Sequence, residues 1–151
     1  MIIYRLTTGN FADDISGQGA KIYGGRWNPV GVGVVYMSEF ISLSILEILL
    51  RVDKFSSPDT YTLLSIQIPE SSLVNIEVKK LKHGWQNHIE YTRSIGEEFL
   101  NANQTLVLKV PSAIVPQEHN FLINPLHKDF KKVKIVESEL LNLDKRLLQT
   151  Q

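Results

Sequence analysis

Val34-Val35-Tyr36-Met37 runs straight into Ser38-Glu39-Phe40-Ile41-Ser42-Leu43-Ser44-Ile45-Leu46-Glu47-Ile48-Leu49-Leu50-Arg51-Val52. The first four residues are β-branched, aromatic or long and apolar, which suits a short strand. Apolar residues at 41, 45, 48, 49 and 52 then recur at helical spacing, and Ser38 offers a side-chain oxygen as N-cap. Other short strands surround this unit. Ile2–Thr7 reads as one, ended by Thr8-Gly9-Asn10, and Tyr61–Ile68 alternates until Pro69 stops it. Further strands are expected at Leu73–Val78, Thr105–Val110, Ala113–Val115 and Val133–Val136. A second helix is expected at Tyr91–Ala102, with Asn103 in the left-handed position that ends it, and a short helix in the tail. Strands this short and irregular, with so few helices, exclude repeated βαβ units. The expected class is α+β, with small mixed or antiparallel sheets.

The chain has 151 residues, enough for one domain (1–151) that buries roughly 70% of its unfolded surface. Sixteen basic and sixteen acidic side chains cancel, which argues against a protein devoted to neutralising nucleic-acid phosphates. There is no cysteine, so disulfides, thiolate zinc sites and a cysteine nucleophile are excluded together, and a reducing cytoplasm fits. The N-terminus lacks a signal-peptide core, and Ile41–Val52 is too short and polar to span a bilayer. No membrane association is expected. Gly31-Val32-Gly33 is not a dinucleotide fingerprint, no Gly-Lys-Ser/Thr is present, and His83, His88, His119 and His127 lack metal-ligand spacing. No metal is expected.

Four places carry candidate chemistry. Between Asp13 and Gly33, six of the nine glycines fall in a loop containing Tyr23-Gly24-Gly25-Arg26-Trp27-Asn28-Pro29. Arg26 there either grips a phosphate or carboxylate or stacks on Trp27 in a plain turn. Glu47 shares a polar stripe with Ser44 and Arg51. It is either one half of an exposed i,i+4 pair or, given how apolar the helix is on its other sides, a carboxylate lining a cleft. Tyr36 either packs or stacks on a planar ligand. Ser112, after Pro111, either bonds nearby backbone or takes part in chemistry.

Taken together, the order Tyr4-Arg5, Gly24-Gly25-Arg26-Trp27-Asn28-Pro29-x-Gly31, Val35-Tyr36, Leu46-Glu47 resembles the RES domain family, named for its arginine, glutamate and serine. Ile95-Gly96-Glu97-Glu98, Val110-Pro111-Ser112 and Asn120-x-x-x-Asn124-Pro125-x-His127 continue the resemblance, which runs from about Ile2 to Phe130. Phe99 stands where tryptophan is expected and Asn103 where glycine is usual. The stretch 55–91 matches little and supports no functional assignment.

The resemblance implies a bacterial toxin of a toxin–antitoxin pair that consumes NAD, with a fold similar to the ADP-ribosyltransferase toxins around a central cleft. NAD is then substrate, and no cofactor is implied. Cleaving the nicotinamide–ribose bond builds positive charge on the ribose. Glu47 would face that charge, with Arg26 and Ser112 completing the catalytic set. Arg26 and Arg5 would hold the pyrophosphate, Tyr36 would stack on nicotinamide or ribose, and Ser112 would bond the nicotinamide end or orient Glu47. Asn124 and His127 would shape a loop. The implied partner is an Xre-like helix-turn-helix antitoxin, which would make any DNA contact itself, and the toxin would form a homodimer. Leu140-Leu141 and Leu147-Leu148 either serve such contacts or close the core. The competing readings are mono-ADP-ribosylation of a specific protein and a non-catalytic nucleotide-binding module.

Overall fold

A computed structural model of the chain describes residues 1–9, 12–52, 58 and 60–148. Asn10 of the expected first turn, and 55–57 and 59 at the head of the stretch that matches little, lie outside the described residues.

The strands β1 (Ile2–Thr7), β2 (Val35–Ser38), β3 (Thr60–Gln67), β4 (Leu73–Asn75), β5 (Val107–Pro111), β6 (His119–Ile123) and β7 (Lys134–Asn142) form a single seven-stranded sheet rather than several small ones. Their spatial order is β4-β5-β6-β2-β1-β3-β7, with only β4–β5 parallel. Among the described residues three α-helices complete the α+β fold: α1 (Gln18–Tyr23), α2 (Ile41–Leu49) and α3 (Ile89–Ala102). None of the described helices is long and apolar enough to cross a membrane.

Strand alternation sorts the core. Ile3, Val35, Met37, Leu64, Ile66, Val107, Phe121 and Ile123 share one buried cluster. Their neighbours Leu108, Val110 and Leu122 belong to a second, with Trp27, Trp85 and Leu100 of α3. Leu6, Tyr61 and Leu63 belong to a third, against Ile45, Ile48 and Leu49 of α2. Successive side chains on a strand point to opposite faces. One face therefore carries the first cluster, while the other is shared between α3 over the β5–β6–β2 half and α2 over the β1–β3 half. A gap separates the two helices.

Several expectations shift. Ser38 does not cap α2: it ends β2, and its Oγ donates to Asn120 Oδ1 at 2.9 Å. Phe40 takes the cap position without a side-chain bond. A buried hydroxyl with a partner on the adjacent strand has no reason to turn toward the helix. Ala113–Val115 is a turn, because Ser112 Oγ accepts from the N–H groups of Ile114 and Val115 at 3.1 and 3.3 Å. The strand follows instead at β6, whose polar start, His119-Asn120, hid it. β7 runs on to Asn142 because β3 pairs with it along its length; its edge position leaves Glu137, Ser138 and Glu139 exposed. α1 lies unforeseen in the glycine-rich stretch and buries no side chain. Leu73–Val78 holds a strand only to Asn75, and the tail forms one 3-10 turn, Lys145–Leu147. Nor is α2 packed on all its apolar sides: Ile41, Leu46 and Leu50 are exposed.

Candidate active site

β1 and β2 pair at one register position, Tyr4↔Ser38, whereas β1 pairs with β3 along its whole length. Beyond that pair the sheet parts. The opening lies beneath the gap between α2 and α3 and forms a cleft of about 830 Å³, within the range of roughly 300–1,000 Å³ typical of small-molecule sites. Arg5, Arg26, Tyr36, Glu47, Arg51 and Arg93 all line it.

Glu47 occupies the second turn of α2, and its side chain is 22% exposed. Its Oε1 accepts from Ser112 Oγ at 3.2 Å and from Asn120 Nδ2 at 2.5 Å. Asn120 is held in turn by Ser38, so β2, β6, the turn after β5 and α2 converge on one carboxylate oxygen. Ser112 is fully buried and has a double function: it bonds its own turn and reaches Glu47. The i,i+4 partner also exists, with Arg51 Nη2 at 3.9 Å from Oε2. Both readings of Glu47 are thus realised, on different oxygens. Ser44, the third member of the stripe, spends its hydroxyl on Ile41 O at 2.7 Å.

The double-glycine turn is built around Asn28, which is completely buried. Its Nδ2 donates to Ala20 O and Val32 O, both at 2.8 Å, and its Oδ1 accepts from the Tyr36 hydroxyl at 2.7 Å. The same hydroxyl accepts from Trp27 N at 3.0 Å. A Cβ on Gly25 would stand 2.6 Å from Tyr36 Oη, so this close approach requires glycine. Arg26 does not stack on Trp27. Its Nη1 donates to Gln86 O at 2.9 Å, while Trp27 packs against Trp85 with centroids 5.7 Å apart. Burial raises the Tyr36 pKa to about 12, although Trp27 N–H and the guanidinium groups of Arg51, Arg93 and Arg26 pull the other way. Tyr36 is therefore a neutral, fixed ring.

Arg5 donates to Asp14 O at 2.6 Å. Burial lowers its pKa; the Asp14 carboxylate opposes that effect and the nearby Arg51 adds to it. Arg93 of α3 donates from Nε to Gly25 O at 2.9 Å and joins the same wall. The cleft thus concentrates arginines around Glu47 in a chain of zero net charge.

The geometry of an arginine, a glutamate and a serine around one cleft coincides with a family match over nearly the whole chain: the profile described as RES domain covers residues 2–144. The chain belongs to the RES domain family. It is 38% identical to Toxin Res of Photorhabdus laumondii subsp. laumondii, an alignment covering 99% of this chain and 98% of that protein. It is equally 38% identical to the Prs ADP-ribosylating toxin of a Sphingobium species, covering 91% and 89%. Among solved structures it resembles a chain of the Mycobacterium tuberculosis MbcT–MbcA toxin–antitoxin complex. That likeness has TM-score 0.76 at 18% identity over 97% of this chain and 86% of the other, and it supports the fold.

In this RES domain, five expected site residues (Arg5, Arg26, Tyr36, Glu47 and Ser112) meet at the cleft or bond to its carboxylate. Asn124 and His127 stand apart. Asn124 Nδ2 donates to Leu100 O at 3.1 Å and Asn103 Oδ1 at 2.9 Å, and His127 Nδ1 accepts from Asp129 N at 3.1 Å. Sequence reasoning gave no role to Asn120, Asn28 or Arg93. The first two sit inside quoted motifs: Asn120 is a polar residue beside the apolar Phe121-Leu122-Ile123 of β6, and Asn28 stands between Trp27 and Pro29 in the double-glycine turn. Nothing local to Arg93 announced it.

Proposed function

We propose that this RES domain is the toxin of a toxin–antitoxin pair and that it cleaves the nicotinamide–ribose bond of NAD. One observation carries the reading: Glu47 is fixed through Oε1 by Ser112 and Asn120, leaving Oε2 toward an arginine-lined cleft. Departure of nicotinamide leaves an oxocarbenium-like ribose, and a preoriented carboxylate gains interaction as that charge develops. Nicotinamide leaves neutral because its ring nitrogen is already cationic, so no general acid is needed. Arg26 and Arg5 would hold the pyrophosphate, where a guanidinium can place two parallel N–H bonds. Tyr36, whose hydroxyl is already committed, would offer its ring face. Ser112 would act through Glu47, which its hydroxyl already touches.

The test is incubation of the chain with NAD and chromatography of the products. Free nicotinamide with ADP-ribose, or its phosphorylated form in phosphate buffer, supports the reading; intact NAD from a clean, antitoxin-free preparation favours a non-catalytic nucleotide-binding module. Glu47→Gln keeps size and removes charge, so kcat should fall at least a hundredfold with KM little changed. Mono-ADP-ribosylation of a protein is a second reading, favoured by the 38% identity to a relative named for that activity. Label moving from NAD onto a lysate protein would select it. The partner proposed is an Xre-like helix-turn-helix antitoxin, and co-purification of such a protein as the inhibited complex tests that part. The MbcT–MbcA likeness supports a partner of this general kind.

A further inference from the structure

Oε1 of Glu47 has its two donors, and the Tyr36 hydroxyl accepts from Trp27 N and donates to Asn28 Oδ1. That leaves two recognition elements at the centre of the cleft: Oε2 of Glu47 and the face of the Tyr36 ring. One group covers both. Arg51 Nη2 lies 3.9 Å from Oε2, and Arg51 Cζ lies 5.5 Å from the Tyr36 centroid. The guanidinium is flat, delocalised and cationic, as is the nicotinamide ring of oxidised NAD, and a tyrosine face attracts either.

We propose that Arg51 is a resident stand-in for the nicotinamide cation, which the substrate displaces on entry, so that this residue sets affinity for the substrate. The inference rests on the NAD reading above. Displacement is feasible because the side chain is 58% exposed and its ion pair is long; such exposed pairs hold weakly. It also has a use: the carboxylate and ring stay in place between turnovers, with a cation already balancing them. A ring that is flat but uncharged gains less at the same place, so the site favours oxidised over reduced nicotinamide.

The experiment compares wild type with Arg51→Ala, reading nicotinamide release against NAD concentration, with and without millimolar guanidinium chloride and with sodium chloride as the matched control. The thermal midpoint is checked for both, and an exposed side chain should leave it unchanged. Removing the resident cation should raise kcat/KM about three- to tenfold, through KM, given the weak contacts it gives up. Added guanidinium should restore the wild-type KM in the variant, and sodium should not. An unchanged or lower kcat/KM overturns the proposal, the latter because it makes Arg51 a substrate-holding group. A rise that guanidinium fails to reverse overturns it too. If the wild-type chain itself releases no nicotinamide, the NAD reading fails and this inference with it; if it does, only the inference is at stake in the variant.

Discussion

Asn120 and Glu47, 73 residues apart in the chain, are joined by a bond from Nδ2 to Oε1 of 2.5 Å, and Asn120 cannot turn away because its Oδ1 accepts from Ser38. An amide placed between a hydroxyl donor and a carboxylate acceptor fixes which end faces which. Asn120→Ala leaves Glu47 with Ser112 alone on Oε1 and strips Ser38 of its acceptor. A hydrogen bond to a charged group contributes about 1.5–3 kcal/mol, so kcat for NAD cleavage should fall roughly ten- to a hundredfold. Asn120→Asp sets two carboxylates side by side, which favours protonation of one. The acid limb of its pH–rate profile should move to higher pH. An Asn120→Ala variant with wild-type turnover would show that Glu47 needs no such orientation.

A second relationship concerns folding. A Cβ on Gly96 would lie 1.7 Å from Trp27 O, so α3 rests directly on the backbone of the arginine-bearing turn. Thr92 of the same helix donates from Oγ1 to Arg26 O at 2.6 Å. Backbone cannot yield as a flexible side chain can. Gly96→Ala should destabilise the domain by about 3 kcal/mol or more, at the upper end of overpacking costs. In urea the midpoint should drop at unchanged m-value, and a variant as stable as wild type would refute the close approach.

Asn103 reverses a common rule. It ends α3 at φ 50°, where glycine is ordinarily the better residue. Yet Asn103 Oδ1 accepts from Asn124 Nδ2 at 2.9 Å, tying the helix end to the Asn-Pro turn. Asn103→Gly relieves the left-handed backbone but leaves a buried amide one partner short. The expected net effect is a loss of about 1 kcal/mol; a gain in thermal midpoint would show the tie to be worthless.

Glu39 makes stability depend on acid. Burial opposes its ionisation, but the bond to His119 Nδ1 at 2.9 Å and the Lys109 ammonium at 3.3 Å outweigh burial and lower its pKa from 4.5. A carboxyl with a depressed folded-state pKa contributes stability that is present above its unfolded value, near 4.5, and is lost as pH falls through the lower folded value. Denaturant midpoints measured downward from pH 6 should therefore fall less steeply below about 4.5 in Glu39→Gln than in wild type. Equal slopes would remove Glu39 from the acid response.

Some of this was legible in one dimension. The β-rich run Ile2–Thr7, alternation in Tyr61–Ile68, and helical spacing through Ile41, Ile45, Ile48 and Leu49 are local consequences of burying one face of a strand or helix, and the structure keeps those elements. Asn103 likewise stands at the end of α3 because its own backbone tolerates the left-handed region. Ser38 and β6 depart from the local reading because their states depend on partners far along the chain. Ser38 finds Asn120 across 82 residues, and β6 is a strand through pairing on both sides.

The candidate site divides the same way. Residue order alone brought out Arg5, Arg26, Tyr36, Glu47 and Ser112, because a carboxylate, guanidinium groups and a flat ring are chemistry carried by the residue itself. Which oxygen of Glu47 is held, that Asn120 holds it, and that Arg51 covers the other oxygen together with the Tyr36 face were settled only by the fold. Hydrogen bonds and ring contacts act over a few ångströms, and it is the parting of β1 from β2 beyond Tyr4 and Ser38, beneath two separately packed helices, that brings these distant residues within that range.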